Sequence, residues 1–150
     1  MPHSSVSLIA MERVVTCGKF LQLSGQRWFV RGFSYGPFAP NNDGEHLPER
    51  SQVCRDFAHM RELGANSFRV YFPPPEWLLD LALEHDLRVF VDVPWEKHRC
   101  FFEDWDAQQR AVQRVRETAR TLGDHPALFA ISVANEIPVD IIRFYGHRRV

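Results

Sequence analysis

The stretch Leu128-Phe129-Ala130-Ile131-Ser132-Val133-Ala134-Asn135-Glu136-Ile137-Pro138 decides how this chain reads. Seven uncharged, mostly apolar residues, preceded by the breaker Gly123-Asp124-His125-Pro126 and closed by Pro138, describe a short strand covered on both faces. Strands of that kind belong to parallel sheets. A carboxylate set just past the end of such a strand, behind an amide, lies where parallel α/β folds keep their reactive groups.

Working back from this strand, Ala111, Val112, Val115, Ala119 and Leu122 mark the inner face of a preceding helix, with Arg and Gln on its other side. Before that helix, a loop holds Trp95, Glu96, His98, Phe101, Phe102 and Trp105, and before the loop Leu87 to Val93 is apolar apart from Arg88 and Asp92. A helix opens at Pro75-Glu76, where proline is tolerated, and turns Leu78, Leu79, Ala82 and Leu83 inward. The strand before it, Ala65 to Phe72, stops at Pro73-Pro74-Pro75. Val53, Phe57, Met60 and Leu63 form another helix face that ends at Gly64. Gly36 to Pro48 is a loop, and Gly32-Phe33-Ser34-Tyr35 is the first strand of the series. A hairpin precedes it, Lys19 to Leu23 and Arg27 to Val30 around Ser24-Gly25-Gln26. Beyond Pro138 a last helix faces inward with Ile141, Ile142 and Phe144.

Four strand-helix units in succession predict a parallel sheet with right-handed crossovers. An open doubly wound sheet and half of an eight-stranded barrel both satisfy that order. The phosphate turn that marks many open sheets is missing, because Gly32-Phe33-Ser34-Tyr35-Gly36 does not fit GxGxxG.

The 150 residues carry a formal net charge of -1, which gives no electrostatic case for nucleic acid or an anionic membrane. No stretch approaches the roughly 20 apolar residues of a membrane span, and no basic, apolar signal segment opens the chain, so a cytoplasmic protein is expected. Cys17, Cys54 and Cys100 are odd in number and far apart, and read as reduced, buried thiols. The seven His show no metal-binding spacing, and neither metal nor cofactor is expected.

Gathering the strand ends brings together Tyr35, Arg69, Tyr71, Asp92, Trp95, Asn135 and Glu136. Aromatic faces stack on sugar rings, polar groups hold hydroxyls, and a carboxyl group can protonate a glycosidic oxygen. An oligosaccharide or polysaccharide is therefore the expected ligand. Plainer readings stand beside this one. Asn135-Glu136 suits a helix N-cap with a first-turn acid, Arg69 could pair with a surface acid, and Asp92 is as apt to cap its loop as to touch a substrate. Phe68, Phe72, Phe90 and Phe129 read as core, and His98 as a solvated loop residue.

Three stretches together resemble clan A of the glycoside hydrolases, the retaining (β/α)8-barrel group: Trp28-Phe29-Val30-Arg31-Gly32-Phe33-Ser34-Tyr35, Leu63-Gly64-Ala65-Asn66-Ser67-Phe68-Arg69-Val70-Tyr71, and Ser132-Val133-Ala134-Asn135-Glu136. The resemblance implies a partial TIM barrel: residues 1–18 form a poorly ordered leader and residues 19–150 the N-terminal half of the barrel, a short β-hairpin followed by four βα units. It implies retaining hydrolysis of a β-linked saccharide, with Glu136 as the acid/base and Asn135 on the sugar 2-hydroxyl. Arg69 would hold the nucleophilic carboxylate ionised, and Tyr71 and Trp95 would line the subsite. The family's nucleophile is a Glu at the end of the seventh strand, and nothing here matches it, whereas retaining chemistry needs two carboxyl groups about 5 Å apart. The isolated chain is thus expected to be inactive, and to seek the missing half or a second copy of itself. A non-catalytic carbohydrate- or partner-binding module and a non-functional truncated product are the alternatives.

Overall fold

The computed structural model describes residues 12–148. Its first element is an antiparallel sheet of three short strands, β1 (Val15–Cys17), β2 (Phe20–Leu23) and β3 (Gln26–Trp28). Leu23 pairs with Gln26 across Ser24 and Gly25, at φ 54° and 72°. Positive φ at both central residues is the two-residue turn whose twist suits a hairpin. The sequence predicts this hairpin but not β1, which falls within the segment read as a leader. Residues 1–11 of that leader lie outside the described residues.

The second sheet contains β4 (Gly32–Ser34), β5 (Ser67–Val70), β6 (Arg88–Asp92) and β7 (Leu128–Ser132), all parallel and lying side by side in chain order. A doubly wound sheet reverses direction at a switch point, so sequential order decides against that alternative for these four strands. Alternate residues divide the faces. Phe68, Val70, Val89 and Val91 are buried against the helices, while Ser67 and Arg69 share the other face with Arg88, Phe90 and Asp92. At the base of that face the chain before β1 and the end of β3 close in, Arg88 donating to the Glu12 carbonyl at 3.4 Å and Trp28 packing edge-on against Phe129 at 5.0 Å.

The helices are α1 (Arg50–Glu62), α2 (Glu76–Glu84), α3 (Trp105–Leu122) and α4 (Val139–Tyr145). Val53, Phe57 and Met60 of α1 and Leu78, Leu79 and Ala82 of α2 are buried as their spacing predicts. Each of these side chains larger than alanine contributes roughly 2 kcal/mol by leaving water. Leu63 is 75% exposed, because the helix has ended and Gly64, at φ 82°, turns the chain away. Asp104 caps α3 by accepting from the Ala107 amide at 2.9 Å. The face that α3 buries runs through Ala107, Thr118 and Leu122, and leaves Val112 and Ala119 outside. Phe72, Phe90 and Phe129, expected in the core, are only partly buried. A smaller cluster forms between the 94–104 loop and α4, with Phe101, Ala107 and Ile141 at its centre and Trp95, Phe102 and Tyr145 around it. Cys17, Cys54 and Cys100 are free and exposed, contrary to the buried thiols expected: Cys17 lies on the hairpin, Cys54 on the outer side of α1, and Cys100 in the loop.

Gly32 holds β4 close to β5. A Cβ at Gly32 would stand 2.7 Å from both the carbonyl and hydroxyl oxygens of Ser67. Gly32→Ala is expected to lower stability by about 1–3 kcal/mol through this overpacking. A urea midpoint equal to that of the wild type would show that β4 gives way freely. Asn66 secures the same junction, accepting from the Arg31 amide at 2.9 Å and donating to the Phe29 carbonyl at 2.7 Å.

Candidate functional site

The C-terminal ends of β5, β6 and β7 form a polar rim. Arg69 lies on β5 level with Phe90, two residues before Asp92 at the end of β6. The Arg69 Nε donates to Asp92 Oδ2 at 2.9 Å, and Nη2 donates to the same oxygen. Asp92 is 4% exposed, and its second oxygen, Oδ1, has no hydrogen-bond partner among the described residues. The Arg69 guanidinium also lies 5.0 Å from the centre of the Tyr71 ring. These hydrogen bonds to Asp92 hold the Arg69 pKa above its ordinary value, against partial burial, and the charges of Asp92, Tyr71 and Glu136 add to the effect.

Asn135 and Glu136 follow β7. Glu136 is exposed and sits at φ 52°, a left-handed backbone that disfavours side chains with a Cβ. The helix-cap reading fails here, because α4 starts later, with Pro138 at its N-cap and no side-chain cap bond. Two side chains of the loop after β6 hold this segment: Trp95 Nε1 donates to the Val133 carbonyl at 2.8 Å, and Lys97 Nζ donates to the Asn135 carbonyl. Trp95 is half-buried and stands edge-on to Phe101 at 4.9 Å. Nearby, the Glu103 carboxylate pushes the Tyr145 hydroxyl up to about 12.

Of the seven residues that the sequence gathers, Arg69, Tyr71, Asp92, Trp95, Asn135 and Glu136 belong to this rim. Tyr35 does not. It is 6% exposed beneath α1, packs on Phe38, Phe57 and Phe68, and donates to Asp56 Oδ2 at 2.7 Å. Burial, and then this bond to Asp56, raise its pKa. Lys97 carries no sequence signal of this contact, since nothing in a loop's pattern says which carbonyl its ammonium will reach. Below the rim, Val30, Gly32, Phe33, Ser34, Arg69, Phe90 and Phe129 line a hollow of about 190 Å³. A larger cavity of about 550 Å³, which none of the six rim residues lines, lies on the α3 side of the strand ends between Pro73, Pro74, Val93, Pro94 and the α3 residues Arg114 and Glu117. Among the described residues no three His, Cys, Asp or Glu side chains gather as a metal site requires. Among them, too, no helix is long and apolar enough to cross a membrane.

No protein-family model matches the chain. In sequence it is 26% identical over 120 residues to the 1,3-beta-glucanosyltransferase GAS5 of Saccharomyces cerevisiae, a match that covers 76% of this chain and 25% of that protein. In structure it is similar to a β-glucuronidase from Ruminococcus gnavus, with a TM-score of 0.69 at 22% identity over 89% of this chain and 24% of that one. The β-D-glucuronidase of Dictyoglomus thermophilum gives 0.68 at 23% identity, covering 91% of this chain and 26% of that one. A GH2 β-galacturonidase from Eisenbergiella tayi gives 0.65 at 22% identity, over 80% and 22% of the two chains. The chain therefore spans about a quarter of the length of each of these four proteins, and its resemblance is to glycosidases of clan A.

Proposed function

We propose that this chain forms the first four βα units of a clan A-like glycosidase barrel that acts by the retaining route on a β-linked saccharide, with Glu136 as the acid/base. The observation that carries this reading is the place of Asn135-Glu136, in the segment that leaves β7 at the same end of the parallel sheet as the Arg69–Asp92 pair, in a sheet whose strands lie in chain order. Glu136 would protonate the leaving oxygen and then take a proton from water, while Asn135 holds the neighbouring hydroxyl. Tyr71 and Trp95 would flank the sugar, and Asp92 would keep Arg69 in place. Tyr35 has no part in this site. Because Asp92 is 4% exposed and ion-paired with Arg69, it is not presented to a saccharide as a second carboxylate beside Glu136. A non-catalytic saccharide-binding module is favoured by that same fact, and the remaining barrel strands, or a second copy of the chain, are the partners that the fold calls for.

The test is titration with β-linked oligosaccharides, followed by assay on an aryl β-glycoside. Binding is expected to survive Glu136→Gln, and any turnover to fall by about 10²–10⁴-fold in that variant. Turnover that is equal in Glu136→Gln and wild type would rule Glu136 out as the acid/base. Binding without any turnover would favour the module.

A further inference from the structure

We infer that Trp95 and Lys97 are positioning residues that set the backbone of Glu136, extending the β6–β7 ladder with side chains where the backbone can no longer continue it. The last backbone rung past these strands runs from the Val93 amide to the Ser132 carbonyl at 3.0 Å. Pro94 then interrupts, having no N–H to donate. From there the donors are side chains at alternate positions: the Trp95 indole to the Val133 carbonyl at 2.8 Å, and the Lys97 ammonium to the Asn135 carbonyl.

The second bond has a specific consequence. The Asn135 carbonyl lies in the peptide plane that joins Asn135 to Glu136, and the rotation of that plane about the Glu136 N–Cα bond is φ of Glu136. An ammonium that holds the carbonyl restrains the plane, and with it one side of the rotation that stands at 52°. A charge-assisted bond is strong enough to hold a conformation that glutamate alone disfavours. Trp95 braces the same loop from Phe101, and the Lys97 amide closes a turn on the Trp95 carbonyl at 2.8 Å.

This role bears on catalysis only through the proposed part of Glu136, yet it can be tested with no sugar present. Glycine bears no penalty at positive φ. If Lys97 imposes the conformation, Glu136→Gly is expected to be more favourable in the wild type than in Lys97→Met, by about 3 °C in unfolding midpoint. Lys97→Arg, which keeps a donor, should behave as wild type. Hydrogen exchange at the amides of residues 135–137 should quicken about tenfold or more in Lys97→Met and in Trp95→Phe, with β7 itself unchanged. Additive midpoints together with unaltered exchange in both variants would overturn the inference. Coupling without any saccharide binding would uphold it and count against the glycosidase reading instead.

Discussion

Arg69→Met is expected to destabilise the chain by about 3 kcal/mol, the loss that follows when one partner of a buried ion pair is removed. The reason lies in Asp92 more than in Arg69. The Asp92 side chain is 6% exposed and that of Arg69 29%, so water reaches the guanidinium but hardly the carboxylate. One carboxylate oxygen accepts both N–H groups while the other is buried without a partner among the described residues, so Asp92 already lacks part of the solvation it left behind. Methionine fills much of the arginine's volume and returns none of its hydrogen bonds. The exposed part of the guanidinium screens the pair, which keeps the figure at the low end for such losses. Urea unfolding measures it. The double variant Arg69→Met with Asp92→Asn should regain at least half the loss, because two neutral groups leave no charge stranded. A single-variant loss below about 1 kcal/mol would show the pair to be solvated like a surface bridge.

That pair also shows where a sequence stops being informative. Arg69 and Asp92 are each legible as polar residues at the ends of apolar strands. Their partnership depends on register, with Arg69 beside Phe90 so that its side chain reaches forward to the residue two further on. Tyr35 fails as a rim residue through parity. Ser34 pairs with Arg69 and so shares its face, and the next residue must point to the opposite one, toward α1. The faces of α1 and α2 are legible because their apolar residues form single stripes. In α3, Ala111, Val112, Val115 and Ala119 outline two overlapping stripes, whereas the buried residues are Ala107, Thr118 and Leu122. Strand β1, three residues without alternating polarity, exists by virtue of its pairing with β2.

Self-association is the second large effect to be expected of these 150 residues. Parallel sheets are covered on both faces in nearly all proteins that contain them. Here the described helices cover one face, while the other keeps Arg69, Phe90 and Phe129 around an open hollow. Among the described strands β4 and β7 each have a neighbour on one side only. Apolar side chains flank both edges: Phe33 is 44% exposed on β4, and Val133 60%, Val139 59% and Phe144 79% exposed beyond β7. An unpaired edge flanked by apolar groups is a template for another strand. A two-fold axis along the strands keeps their direction, so β7 of one copy would meet β4 of the next in parallel and eight strands would close on one another. Sedimentation velocity from about 1 to about 100 µM should therefore show dimers or larger species, the range in which uncovered apolar surface drives association. Val133→Lys combined with Phe144→Glu places charges where this contact would desolvate them, and should weaken association about tenfold or more, equivalent to about 1.4 kcal/mol. Both residues are exposed, so the fold itself should hold. A monomer that persists at the highest concentration without enhancing the fluorescence of an apolar dye would mean that the open face is covered within a single chain.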